Sequence, residues 1–411
     1  MQLTRTSFLR PAGRRGWVCG RVARRAAGTR GARLVLAVAL AACAVGAMAA
    51  GAGAATKVRH VWVIVLENEG YAATFGEPAA DPYLASTLPS QGALLESYYA
   101  TAHVSAPNYI ALASGQPPNA ENQGDCQFFD DFKGAVMLSS GVVTGTGCVY
   151  PAEVQNIGTQ LSAKKLTWKA YQEDMGNDPN REAAACGHPA LNTQDETEKA
   201  EAGDGYATRH DPFVYFHSVI DEVKYCDKHV VALGSPTGVM PAAALRGETG
   251  LATDLTALSK TPRFSFITPN LCNDGHDFPC TNQESGASAL ADIDAFLETW
   301  VPKIMASQAY REDGLIEITF DEAANSETEA CCGEEPGPGS PLPGITGPGG
   351  GRVGAVLLSP FIKPGTVSAT PYNHYSSLAS WETLFGLPRL ADAATVTSTF
   401  GADVFTALPH R

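Results

Sequence analysis

The run Val58–Leu66, VRHVWVIVL, constrains this chain more than any other stretch, because six consecutive apolar side chains follow His60 and leave no face for water. A half-buried strand alternates apolar with polar residues. A near-continuous run fits a strand covered on both faces, as in parallel sheets flanked by helices. Arg263–Thr268 (RFSFIT), Leu315–Phe320 (LIEITF) and Arg352–Ser359 (RVGAVLLS) share that character, and Leu166–Tyr171 shows it more weakly. Between the runs lies helical periodicity: from Ser288 to Gln308, residues Leu290, Ile293, Phe296, Leu297, Trp300, Val301 and Ile304 recur at steps of three and four. Strands alternating with helices predict an α/β fold around a mostly parallel central sheet. The Pro/Gly-rich segment 334–351 and the polar segment 176–205 read as loop excursions from one domain, 55–411, and no internal repeat is present.

Residues 1–54 stand apart. They hold nine arginines and no acid, and an apolar run from Leu34 to Ala50 leads to the small residues Ala52-Gly53-Ala54. A basic start, a short apolar core and a small-residue end are the parts of a secretory leader. The apolar run is slightly short for a membrane span, so no stable span is expected. Leu40-Ala41-Ala42-Cys43 also fits lipoprotein processing with acylation of Cys43, a lipid anchor disfavoured because small apolar residues continue past it. Arg14-Arg15 is weak evidence for twin-arginine export among so many scattered arginines. The expected location is secreted or otherwise extracytoplasmic.

Charge and cysteines narrow the class. Beyond residue 54 the chain carries 20 basic and 43 acidic side chains. This argues against nucleic acid as a partner, since phosphate backbones are held by Lys and Arg. Eight cysteines remain after the leader, an even number that favours disulfides in an exported chain. Nearest neighbours give 126–148, 186–226 and 272–280. Cys331-Cys332 stays ambiguous, because joining adjacent cysteines closes a strained ring. No Cys-x-x-Cys pair exists, which removes zinc-ribbon and thioredoxin-type readings.

Ligands of parallel α/β sheets bind beyond the carboxyl ends of the strands. Three of the strand-like runs end in oxygen-rich clusters: Glu67-Asn68 after Leu66, Asp321-Glu322 after Phe320, and Pro269-Asn270-Leu271-Cys272-Asn273-Asp274-Gly275-His276-Asp277 after Thr268. Converging carboxylates repel, and a divalent cation is the usual remedy. The plainer alternative is that these acids cap the helices that follow. In His103-Val104-Ser105-Ala106-Pro107-Asn108-Tyr109, running on to Gly115, Ser105 suits a helix N-cap, Pro107 a first turn and Gly115 a stop. On that reading Ser105 only caps. The same geometry also places a hydroxyl beside free backbone N–H groups and the positive end of a helix dipole, a ready site for phosphate oxygens, with Asn108 as a further donor.

The Ser-x-Pro-Asn-Tyr segment resembles the nucleophile motif of the alkaline phosphatase superfamily. Glu-Asn, Asp-Glu and Asn-Asp-x-His-Asp, in that consistent order with it over Val58 to Leu390, make the chain similar to the phosphoesterase family of bacterial acid phosphatases and phospholipases C. The resemblance implies a three-layer α/β/α sandwich and an exported, metal-dependent hydrolase of small phosphorylated substrates. Ser105 would be the nucleophile. Glu67, Asn68, Asp321 and Glu322, with the Ser105 oxygen, would bind one divalent ion of the Ca, Mg or Mn class. His210 would lie near the phosphate, and His276 with Asp277 on the facing loop. Asn108 would bind substrate. His374 falls in the C-terminal signature without an assigned role. Glu67-Asn68-Glu69-Gly70-Tyr71 lacks the histidine many members carry there, leaving that group missing or supplied by His103 or His217.

By this resemblance Ser105 attacks phosphorus, a phosphoserine forms, and a histidinium at His276, with His210 nearby and Asp277 orienting it, protonates the leaving alcohol. Activity on the acid side of neutral would follow. A phosphomonoesterase is favoured over a phospholipase C-like phosphodiesterase, because those phospholipases are longer and exposed basic residues are scarce here. The other class left open is a non-enzymatic exported binding protein. No Gly-x-Ser-x-Gly elbow supports a serine esterase, and Gly347-Pro348-Gly349-Gly350-Gly351 lacks the Lys of a P-loop.

Overall fold

Each apolar run becomes a strand of one eight-stranded sheet. In the computed structural model, which describes residues 57–76, 80–281, 286–334 and 336–406, these strands are β1 (His60–Leu66), β2 (Ala93–Leu95), β3 (Trp168–Gln172), β4 (Val230–Ala232), β5 (Phe264–Thr268), β6 (Gly314–Phe320), β7 (Ala355–Leu358) and β8 (Thr366–Ser368). Their order across the sheet is β8-β2-β7-β6-β1-β5-β3-β4. β1 is central and pairs in parallel with β5 and β6. β3 and β4 continue in parallel on one side, β8 pairs in parallel with β2 on the other, and β7 alone runs against its neighbours. All residues of β1, β5, β6 and β7 are buried, as their unbroken apolar character requires. Residues 1–54, where a leader and the Cys43 anchor are expected from the sequence, lie outside the described residues.

Helices cover both faces. We label α1 (Ser105–Ser114), α2 (Ala289–Ala306), α3 (Gln308–Asp313) and α4 (His374–Phe385). Register aligns Phe266, Val63 and Glu317 in one row. On that face the Tyr109 ring of α1 meets Phe266 edge-on at 6.2 Å, and Trp381 of α4 donates to Glu317 at 2.7 Å. Trp62, one position earlier on β1, points the other way and lies 6.4 Å from the Tyr310 ring of α3. The architecture is therefore a three-layer α/β/α sandwich. α2 follows the seven-residue stripe foreseen from the sequence, with Ser288 accepting from Ala291 N–H as its cap.

Residues 176–205 contribute turns and isolated bridges but no strand to the main sheet. Disulfides join Cys126–Cys148, Cys186–Cys226 and Cys272–Cys280, the nearest-neighbour pairs, and Cys331–Cys332 is joined as well. Among the described residues no helix is long and apolar enough to cross a membrane.

Candidate active site

Because β5, β1 and β6 are adjacent and parallel, their carboxyl ends bring three oxygen-rich clusters side by side. β1 delivers Glu67, β6 delivers Asp321 and Glu322, and β5 delivers the loop 269–277. The turn after β1 is tight. Asn68 adopts φ of 62°, a left-handed conformation Asn tolerates, and its backbone N–H donates to Asp321 Oδ1 at 3.1 Å. A main-chain donor thus fixes one oxygen of Asp321. The Asn68 side chain is half-buried.

Ser105 is not a helix cap. It is the first residue of α1, Val104 occupies the cap position, and no side chain there bonds the helix N-terminus. The Ser105 hydroxyl instead donates to Glu67 Oε2 at 3.0 Å, in a site where both residues are buried. One helical turn later, Tyr109 donates its hydroxyl to the other oxygen, Glu67 Oε1, at 2.6 Å. One face of α1 therefore grips both oxygens of one carboxylate. The Tyr109 ring also stacks on His210 at 5.1 Å, with planes 4° apart.

His210 stands between two acids, with Nε2 3.5 Å from Glu67 Oε2 and Nδ1 3.2 Å from Asp274 Oδ2. Glu67, His210 and Asp274 each offer a ligand atom, all within 4.8 Å of one another. Burial, followed by the charges of Asp321 and Asp274, pushes the Glu67 carboxyl well up. Burial also raises Asp274, and burial with the neighbouring Glu322 raises Asp321 to about 7. Burial, with Arg209 and His276 nearby, pushes His210 well down. Both ring nitrogens of His210, Asp274 Oδ2 and Asp321 Oδ2 are buried without a directed hydrogen bond. Orphaned atoms of this kind, three acids and a neutral imidazole together, are what a divalent cation satisfies, so the residues present fit one.

The remaining candidates divide. Glu322 Oε2 is bonded to His103 Nδ1, and His103 Nε2 bonds the Glu327 carbonyl at 2.8 Å. His374 Nε2 donates to the Asp321 backbone carbonyl at 2.6 Å. His217 bonds Asp131 and Asp221, away from every candidate. Asn108 is fully buried. Its amide donates to the Ala102 and Val104 carbonyls at 2.7 and 2.9 Å, while its oxygen accepts from Thr101 and Ala102 N–H. Those bonds shape the turn before α1 and leave no amide hydrogen for a ligand. His276 Nδ1 contacts Asp277 Oδ1 at 2.8 Å, while its Nε2 faces Arg209 Nη2 at 3.2 Å. A guanidinium only donates, so Nε2 is the acceptor here and carries no proton for a leaving group.

Sequence reasoning passed over four residues of this cluster: Tyr109, Asp125, Arg209 and Asp274. Tyr109 and Asp274 lay inside motifs already singled out, and the step of four from Ser105 to Tyr109 was the available signal for the first. Arg209 directly precedes His210, which was also singled out; Asp125 has no local signal, because only tertiary packing brings its carboxylate within 2.9 Å of Ala106 N–H in α1.

Comparison with known proteins places this geometry in a family. The model of the Phosphoesterase family matches residues 78–388. A phosphate-repressible acid phosphatase of Penicillium chrysogenum is 28% identical over 80% of this chain, which covers 59% of that protein. An acid phosphatase of Aspergillus fumigatus is 27% identical over 80% of this chain and 55% of its own length. The chain thus spans under two thirds of these fungal relatives. A phosphatidylinositol-3-phosphatase of Mycobacterium tuberculosis is 25% identical over 89% of this chain and 92% of its own length. Among solved structures, a protein in the alkaline phosphatase superfamily from Vibrio parahaemolyticus aligns over 80% of this chain and 67% of its own, at 14% identity and a TM-score of 0.45. With the family model covering most of its length, this chain belongs to the Phosphoesterase family.

Proposed function

We propose that the protein is an exported, metal-dependent phosphoric ester hydrolase that acts on phosphomonoesters through a phosphoserine at Ser105. The observation that carries this reading is the Ser105 hydroxyl held 3.0 Å from Glu67 at the start of α1, beside buried acids and an imidazole with unused ligand atoms. Glu67, His210, Asp274 and Asp321 would hold the ion, which when bound would neutralise these acids and lower the pKa of the serine hydroxyl. Three carboxylates suit Ca, Mg or Mn, and the added His210 nitrogen tilts the set away from Ca and Mg.

Glu67 orients the Ser105 oxygen, and Tyr109 keeps Glu67 in place. The serine oxygen bonds to phosphorus as the ester oxygen departs with a proton; water then cleaves the phosphoserine and releases phosphate. His276 serves the leaving oxygen only once its Nε2 parts from Arg209, and Asp277 steadies it meanwhile. A pH–rate profile flat from about 5 to about 9 would reject that histidine role. The monoester reading gains support from the fungal and mycobacterial relatives, all phosphatases by name. Four disulfides among the described residues support an oxidising, extracytoplasmic location.

The test is turnover of p-nitrophenyl phosphate with and without chelator, wild type against Ser105→Ala. We expect a loss of about a thousandfold or more in the folded variant. An unchanged rate would remove Ser105 as the nucleophile, and no turnover in either protein would leave the exported binding protein. Preference for bis-p-nitrophenyl phosphate would replace the monoesterase by a phosphodiesterase.

A further inference from the structure

Backbone N–H groups in the first turn of a helix have no intrahelical partner and are natural donors to an anion. In α1 one of them is already engaged: Ala106 N–H, next to the nucleophile, donates to Asp125 Oδ1 at 2.9 Å. The other oxygen of that carboxylate lies 3.1 Å from Arg209 Nε. Arg209 is 1% exposed, and its Nε has no well-directed hydrogen bond despite that proximity. Its other nitrogens reach the Glu198 carbonyl and His276, each at 3.2 Å. A helix N-terminal donor and a buried guanidinium converging on one point form the donor set that recognises a phosphoryl group. Here that point holds a carboxylate of the protein itself.

Asp125 lies at the edge of this site. The residue ends a three-residue turn, Asn122–Gly124, in left-handed backbone at φ of 63°, and its side chain keeps 18% exposure at the edge of the site. Arg209, by contrast, is enclosed, and its charge is felt at both Glu67 and Asp274. The acid is the more exposed partner, and the guanidinium is the enclosed one.

We propose that Asp125 is an internal stand-in for the substrate phosphoryl group, occupying an anion subsite formed by Ala106 N–H and Arg209 from which a phosphomonoester dianion displaces it. This rests on the reading of Ser105 as nucleophile of a phosphoesterase, and it adds the residues that grip the phosphoryl oxygens and a built-in competitor that sets their affinity. Displacement also draws Arg209 toward the phosphate and frees His276 Nε2. If Asp125 were instead a strut that orients Arg209, removing its charge would weaken phosphate binding; as a competitor, removing it strengthens binding. The two roles differ in sign.

The experiment uses the full chain with its divalent ion supplied and inorganic phosphate as the probe, giving Kd by calorimetry and Ki against p-nitrophenyl phosphate. Asp125→Asn keeps an acceptor for Ala106 N–H while dropping the charge. We expect Kd and Ki to fall about tenfold, since a like charge beside the dianion is removed. Arg209→Lys loses the planar fork and should weaken phosphate by about tenfold or more. Phosphate binding unchanged or weakened in Asp125→Asn overturns the proposal, as does unchanged binding in an Arg209→Lys protein with wild-type thermal unfolding. Should Arg209→Lys not fold, the Asp125→Asn result decides alone. Calorimetry needs no turnover, so a Ser105→Ala variant as active as wild type would sink the reading of Ser105 as nucleophile independently of the phosphate result.

Discussion

At the scale of single residues, Glu67 decides most. Its carboxylate is fully buried, repelled by Asp321 and Asp274, and held by two hydroxyls from one face of α1. Removing the Tyr109 hydroxyl tests how far that grip prepares the ion site. Tyr109→Phe retains the ring stacked on His210 but gives up the 2.6 Å bond to Glu67. Groups that orient ligands typically change metal affinity by 10- to 100-fold when removed. We expect Mn²⁺ affinity, measured by calorimetry, to fall about tenfold in this variant. An unchanged affinity would remove Glu67 from the ligand set.

At the scale of elements, the ends of helices and strands do the positioning, and some of those ends are sensitive to acid. The short helix Val223–His229 closes with an imidazole stacked on Trp168 of β3 at 4.5 Å, its Nδ1 bonded to the Trp168 carbonyl at 2.7 Å. Burial, with Lys228 and Lys169 nearby, lowers this histidine from 6.5 to about 4. The unfolded chain therefore binds a proton that the folded chain refuses between those values. The stabilisation is present above 6.5 and is lost as pH falls toward about 4. It amounts to at most about 3 kcal/mol. His229→Gln should flatten the acid side of the stability curve measured by urea unfolding; parallel curves for variant and wild type would refute the assignment.

At the scale of the whole molecule, the sheet concentrates negative charge at one end. The chain is strongly acidic beyond the leader, and Glu67, Asp274, Asp321 and Glu322 meet where β5, β1 and β6 finish. On the proposed reading a bound cation would be a folding ligand as well as a cofactor, and saturation at a hundred times Kd would add about 2.7 kcal/mol. Chelator should lower the thermal midpoint by several degrees, and added Mn²⁺ should restore it. Ser105→Ala should show the same shift, because its carboxylates remain. A midpoint indifferent to chelator in both proteins would exclude the ion.

The sequence by itself determined five of the eight strands, the periodic helix α2, and the three strand-end clusters. β1, β5 and β6 declare themselves because burial on both faces leaves few polar positions and no alternation, and α2 because seven apolar residues keep to one stripe. Three-residue strands such as β2, β4 and β8 are too short to carry a period, so they were invisible. Glu67, Asp321 and Ser105 could be named in advance because strand ends and helix starts are local features. Their partners could not. Whether a serine at a helix start caps the helix or faces an acid 38 positions away depends on which strand that helix lies against, and only the tertiary structure decided for Glu67. The same holds for Glu322, bonded to His103, and for Asp125 and Arg209, whose ion pair spans distant segments. Local pattern fixes which atoms a segment offers; long-range packing fixes which of them meet, since burial forces each polar group to find whatever partner the fold brings within reach.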